Sequence, residues 1–217
     1  SAGLMASFWL ASALYLPTAY GAEDAVGGFL QKLRQRVASN KYYWDTTILN
    51  QVDWKTQGQS VNGLPLIYWS CGDNSAANRS LVLSVVHGDE ITPLYFGFRL
   101  VEYLKLHPEI CKDKLIVIAP VVNPDGFLRY STGTRTNFNK VDLNRNFDTP
   151  DWRTDAHRLW KSNHKSQRRY FPGDQPNSEP ETKFQVWLIN EFKPTKVMSV
   201  HAPLNYIDFD GPIGENA

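Results

Sequence analysis

At 217 residues the chain is long enough to bury a substantial core and suits one domain. It is 42% hydrophobic with a formal net charge of +1, the composition of a soluble globular protein rather than of a disordered tail. That balance gives no electrostatic footprint for nucleic acid or a charged membrane surface.

The chain opens on an apolar stretch without a charge, Leu4 to Ala22, ending in small residues. It resembles the hydrophobic part of a secretory signal peptide, although the basic leading segment is missing. A packed N-terminal helix is the other reading, and the proline and polar residues near its end disfavour a stable membrane span. The expectation is a signal-type segment over 1–22, a periplasmic or secreted location, and a domain over 23–217.

From Asp24 to Ser39, Phe29, Leu30, Leu33 and Val37 recur at helical spacing and predict a short amphipathic helix. Val61-Asn-Gly-Leu-Pro65 predicts a hairpin turn between strands near 54–60 and 66–70. Two apolar runs, Leu81 to Val86 and Leu115 to Val122, predict buried strands. Between them Thr92-Pro93 supplies an N-cap and a first-turn proline for a helix to about Lys105. Asn123-Pro-Asp-Gly126 is, as bare sequence, a turn. Trp152 to Tyr170 mixes Lys, Arg, His and aromatics, and reads as a solvated loop and helix face rather than a nucleic-acid patch. Ser178-Glu-Pro-Glu181 has the form of a capping box and starts a helix to Phe192, which delivers the chain to a last apolar strand, Lys196 to Val200. Strand and helix alternate as in an α/β sheet covered on both faces.

The chemistry gathers at strand ends. His87-Gly88-Asp89-Glu90 follows the first buried strand, where ligands bind in open α/β sheets. An imidazole and a carboxylate three residues apart at such a turn can face one ion. Catalytic zinc takes three protein ligands and leaves a position for water, and His201, ending the last strand, is the third candidate. His107, His157 and His164 have no partner at metal spacing and read as surface residues. Asn144-Arg145 sets an amide beside a guanidinium fork, a pair suited to gripping a carboxylate. Cys71 and Cys111 make an even count, which permits a disulfide in an exported protein and means two free thiols in cytosol.

Asn123-Pro-Asp-Gly126, Thr134-Arg-Thr-Asn137 and Asp142-Leu-Asn-Arg-Asn-Phe147, in this order between the two histidines, resemble the zinc carboxypeptidase family over about Val82 to His201. The resemblance implies a three-layer α/β/α fold with a mixed, mostly parallel sheet, and zinc on His87, Glu90 and His201. It implies that Asp142 accepts the other ring N–H of His87, that Arg135 polarises the scissile carbonyl and stabilises the oxyanion, and that Asn144 and Arg145 hold the substrate's terminal carboxylate. It also implies that the two cysteine-bearing strands are antiparallel neighbours, so that Cys71 and Cys111 can bridge.

Arg135 through Arg145 and Ser199-Val-His-Ala-Pro203 are most like the bacterial cell-wall members, the murein peptide amidases that cut the γ-D-glutamyl–diaminopimelate bond. The partner expected is thus a peptide with a free carboxylate. The family's general-base glutamate and substrate-capping tyrosine lie many tens of residues after the last zinc histidine. Neither can be assigned, Glu215 is too close to His201, and the chain looks like the first two-thirds of a catalytic domain with little peptidase activity of its own. The rival readings are a zinc amidohydrolase of the deacylase kind and a peptide-carboxylate-binding module that cuts nothing.

Overall fold

The computed structural model describes residues 19–41 and 43–203. Residues 1–18 of the signal-type segment and the tail from 204, with Glu215, lie outside the described residues. Helix α1 (Ala19–Ser39) leads into a hairpin of β1 (Lys55–Gln59) and β2 (Pro65–Gly72), followed by β3 (Asn78–Ser84) and helix α2 (Thr92–Leu106). Strand β4 (Lys114–Ala119), short helix α3 (Pro124–Leu128), helix α4 (Pro150–His164), helix α5 (Pro180–Phe192) and strand β5 (Lys196–Val200) complete it.

The five strands form one sheet in the order β1-β2-β4-β3-β5. Strand β2 is antiparallel to both its neighbours, whereas β3 is parallel to β4 and to β5. Four strands therefore run one way and β2 alone runs back. Side chains alternate between the two faces, as the period of a strand requires. Ile67, Val82 and Ile118 join one core with Phe29, Leu33 and Val37 of α1 and with Leu94, Phe98 and Val101 of α2. Leu66, Leu81, Leu83, Leu115 and Val117 join the other with Phe184 and Leu188 of α5. The result is the three-layer sandwich that the resemblance implies, and among the described residues no helix is long and apolar enough to cross a membrane.

Several local expectations need correction. Strand β3 stops at Ser84 and β4 at Ala119, short of the apolar runs, because the chain turns toward the site before the apolar residues end. Ile91, not Thr92, occupies the N-cap position of α2, with Pro93 still in its first turn. Asn123-Pro-Asp-Gly126 is more than a turn: Asn123 Oδ1 accepts from Gly126 N–H at 2.9 Å and caps α3. The capping box at α5 does not form; Glu179 sits at the N-cap position without a side-chain cap, and Glu181 is fully buried elsewhere. Helix α4 buries none of its residues, and its arginines pair with neighbouring acids, Arg153 with Asp148 and Arg158 with Asp155.

Cys71 of β2 and Cys111, in the turn before β4, form a disulfide. The antiparallel register that sets Cys71 opposite Ile116 brings the two cysteines to one edge, with Cα atoms 5.8 Å apart. Replacing both cysteines by serine opens a loop with a sequence separation of 40. On loop entropy alone this should destabilise the protein by about 4 kcal/mol in a denaturant titration. A loss well below that would show that the β2–β4 pairing already restrains this loop in the unfolded chain.

Candidate metal centre

Strand β3 breaks because Val85 takes a left-handed backbone (φ 51), which a β-branched residue adopts only where its surroundings impose it. Asn123 imposes it from the end of β4. Its backbone N–H donates to Val85 O at 2.9 Å and its side-chain amide to Val86 O at 3.3 Å. Gly88 follows because a Cβ there would run into the backbone of Gly126 and Phe127. Glu90 N–H then closes back on His87 O at 3.2 Å. The turn thus puts His87 Nδ1 2.9 Å from Glu90 Oε1.

His201 reaches the same carboxylate from β5. The parallel register sets Ser84 opposite Val200, so the residues after both strands emerge at one end of the sheet. His201 Nδ1 lies 3.0 Å from Glu90 Oε2, and the two imidazole rings are 4.7 Å apart. Ala202 N–H donates to that same oxygen at 3.2 Å. One ligand atom from each of His87, Glu90 and His201 can be chosen so that all lie within 4.8 Å of one another. Two imidazoles and one carboxylate form the donor set of an open zinc site.

The outer nitrogens are engaged as well. His87 Nε2 is 3.2 Å from Oδ1 of the fully buried Asp142. Asp142 also caps the turn Leu143–Arg145, accepting from Asn144 N–H at 3.2 Å, and its Oδ2 accepts from Arg135 Nε–H at 2.8 Å. Asp142 thus lies between His87 and Arg135. The Asn144 amide lies 3.2 Å from His201 Nε2, a nitrogen also 3.0 Å from Ser199 Oγ. Arg145 is exposed, and among the described residues its guanidinium donates to Asn144 O at 3.2 Å.

Tyr170 is a contributor that sequence reasoning missed. Its ring lies under the Arg135 guanidinium, 5.1 Å from centroid to carbon. The only signal was the aromatic content of the 152–170 run. Beside Asn144 and Arg145 opens a cleft of about 500 Å³, with Phe147, Trp152, Trp160 and Tyr170 in its walls. His157 and His164 are taken up by aromatic neighbours there, His164 stacking on Tyr170.

The protonation of the cluster follows from these contacts. Burial alone would raise the Glu90 pKa, but hydrogen bonds to His201 and His87 prevail and hold it at about 2. Burial would likewise lower His87, and its bonds to Asp142 and Glu90 outweigh that, keeping it above its ordinary value. Asp142, against burial, is held below the usual carboxylate range by His87 and Arg135.

A mixed sheet with two imidazoles and a carboxylate at its strand ends defines an α/β domain with a candidate metal site. The chain belongs to the zinc carboxypeptidase family, whose profile matches residues 45–207. Murein peptide amidase A of Escherichia coli K12 is 34% identical to it over 157 residues, which cover 70% of this chain and 60% of that protein. The Vibrio campbellii protein of the same name is 35% identical over 153 residues, covering 70% and 58%. The chain thus spans about 60% of the length of these curated relatives. Bovine thrombin-activatable fibrinolysis inhibitor, solved with a tick carboxypeptidase inhibitor, superposes at a TM-score of 0.58 with 25% identity, covering 76% of this chain and 60% of that one. Carboxypeptidase A from Helicoverpa armigera, at 0.57 and 23% identity over 70% of this chain and 41% of its own, shows likeness of fold.

Zinc uptake must displace the protons that the imidazoles share with Glu90. A raised His87 pKa favours the protonated, metal-free form, so zinc affinity should climb as pH rises through a value above the ordinary 6.5 and fall away below it. Glu90, ionised down to about 2, adds no such step near neutrality. Asp142→Asn should weaken zinc about 10–100-fold. Competition with a chromophoric chelator across pH measures both, and a pH-independent affinity unaltered by His201→Ala would remove these histidines from the metal.

Proposed function

We propose that the protein represented by this chain is a zinc-dependent metallopeptidase that hydrolyses a peptide or amide bond beside a free C-terminal carboxylate. Its substrate is a peptidoglycan peptide cut at the γ-D-glutamyl–diaminopimelate bond, and its location is periplasmic or secreted. The single observation that carries the activity is the convergence of His87, Glu90 and His201 on one point at the sheet's end. The substrate class is supported by kinship to proteins named murein peptide amidase A. The location is supported by the Cys71–Cys111 bridge, since disulfides persist in oxidising compartments.

His87, Glu90 and His201 would hold the zinc, which when bound polarises a carbonyl and brings the pKa of a bound water toward ~7. Asp142 accepts the Nε2 proton of His87 and so keeps the Nδ1 lone pair turned to the metal position. Arg135, tethered to Asp142 through Nε, keeps its terminal amino groups for the carbonyl oxygen that gains charge when water adds. Arg145 offers a planar fork to the substrate's terminal carboxylate. Asn144 links that clamp to the metal centre, its carbonyl under Arg145 and its amide at His201. The adjoining cleft of about 500 Å³ has room for the terminal residue's side chain. Glu90, as a zinc ligand, and Asp142, with one oxygen on His87 and the other on Arg135, are each committed to another role.

The zinc-loaded protein should bind the tripeptide L-alanyl-γ-D-glutamyl-diaminopimelate more tightly than its C-terminal amide. Arg145→Lys keeps the charge but loses the fork, and should cost about 1–3 kcal/mol of that binding in a calorimetric titration. Equal affinity for acid and amide would take Asn144 and Arg145 out of the role. Release of diaminopimelate from the tripeptide, and not of the last residue from an ordinary peptide, tests the substrate class.

A further inference from the structure

The segment that bears Arg135, Asp142, Asn144 and Arg145 has little regular structure: a three-residue turn, Leu143–Arg145, is its only helix. Asn137, two residues after Arg135, and Asn146, next after Arg145, are both fully buried. Asn137 Nδ2 donates to Glu179 Oε2 at 2.7 Å and to Glu181 Oε2 at 2.9 Å, while its Oδ1 accepts from Val141 N–H at 3.1 Å. Asn146 Nδ2 donates to Pro172 O, Gln175 O and Ser178 Oγ, and its Oδ1 accepts from Glu179 N–H at 3.2 Å. Asn137 thus hangs on the start of α5, and Asn146 on the loop from Pro172 to Glu179 that leads into it. Glu181 Oε1 in turn accepts from Val61 N–H of the β1–β2 hairpin at 3.1 Å.

This arrangement is expensive. Burial and the nearby Asp125 push the Glu181 carboxyl up to about 7, against the hydrogen bonds from Asn137 and Val61. The charged groups facing it are acids, Asp125 of α3 and Glu179 at the N-cap of α5; the hairpin offers backbone N–H and the Ser60 and Asn62 donors that Asp125 uses. A buried acid at that cost is a poor device for stability alone, since an apolar side chain would fill the same space without it. Its geometric product is the placement of one segment.

Resting on the function proposed above, we propose that Asn137, Glu179 and Glu181 are positioning residues, which hold the Arg135–Arg145 segment so that Arg135 and the Asn144–Arg145 pair meet the substrate. None of the three touches the metal position or the clamp.

The test exchanges donor and acceptor. Asn137→Asp sets a carboxylate against two carboxylates, and Glu181→Gln, which must keep an acceptor toward Val61, turns an amide donor toward Asn137. Each single variant is mismatched. Together they restore one donor–acceptor pair with the original number of charges. With the zinc-loaded protein, both single variants should retain one zinc per chain but speed hydrogen exchange at Asp142 N–H and Arg135 Nε–H. Each should also reduce the preference for tripeptide acid over amide about tenfold, the scale of one charge-assisted hydrogen bond. The double variant should recover much of both. Single variants that keep wild-type protection and acid preference would overturn the proposal, as would a double variant no better folded or protected than the singles. If the wild type itself shows no acid preference, the substrate reading has failed, and the exchange measurements alone decide the positioning role.

Discussion

A carboxylate taken out of water ordinarily gains a proton, because desolvation of the charge costs several kcal/mol. Asp142 is fully buried and stays ionised because three donors converge on it: His87 from the end of β3, Arg135 from the preceding loop, and Asn144 N–H from its own turn. Remove any one and the others face an under-compensated charge. The site therefore has a shared reason to assemble. A histidine, an arginine and a turn from separate stretches are pinned to one buried atom pair, and the pKa directions of Asp142 and His87 record the same bond from its two ends.

The sheet supplies what that anion cannot. His87 and His201 belong to neighbouring parallel strands, and a parallel register places the ends of both strands together without further instruction. The left-handed Val85 then bends the first strand end so that His87 turns sideways toward Glu90. Strain at a β-branched residue two positions before a ligand is where such strain is expected to collect. Asn123 holds that bend, and its side chain also donates to Arg135 O at 3.2 Å. The Asn123 motif, silent as bare sequence, is therefore the joint between the histidine turn and the arginine loop.

What could be read in the sequence was what depends on neighbours in the chain. The amphipathic spacing of Phe29, Leu30, Leu33 and Val37 is set by burial of one helix face, the apolar runs that begin at Leu81 and Leu115 by burial of both strand faces, and these residues do line the two cores. The hairpin at Val61–Pro65 follows from local turn chemistry, whereas the Cys71–Cys111 pairing was implied by the family resemblance, through the strand order that it carries. Illegible were contacts whose partners are far along the chain. Glu181 has capping-box spacing from Ser178, yet it serves the buried amide of Asn137 and the Val61 N–H, partners far along the chain. Asn144 reads as half of a carboxylate clamp, but its amide is turned to His201, a contact that exists only once β5 lies beside β3. Tyr170 gave only the aromatic content of its run as a signal, since an aromatic in a basic, solvated run looks like surface until the loop folds under Arg135.

The centre is itself organised for a cation. Glu90 lies between the Nδ1 atoms of two imidazoles, with one oxygen on each, and is thereby kept charged down to about 2. The Nδ1 atoms that face Glu90 are the ones whose lone pairs a divalent ion would take. Binding an ion there needs no rearrangement of His87, which is fixed from behind by Asp142, and little of His201, which is fixed by Ser199 and Asn144. Preorganisation of this kind moves the cost of assembling ligands from the binding step to the folding step. It follows that metal affinity here depends on residues that never touch the metal, and that the buried polar bonds behind the histidines set the geometry in which the ligands meet it.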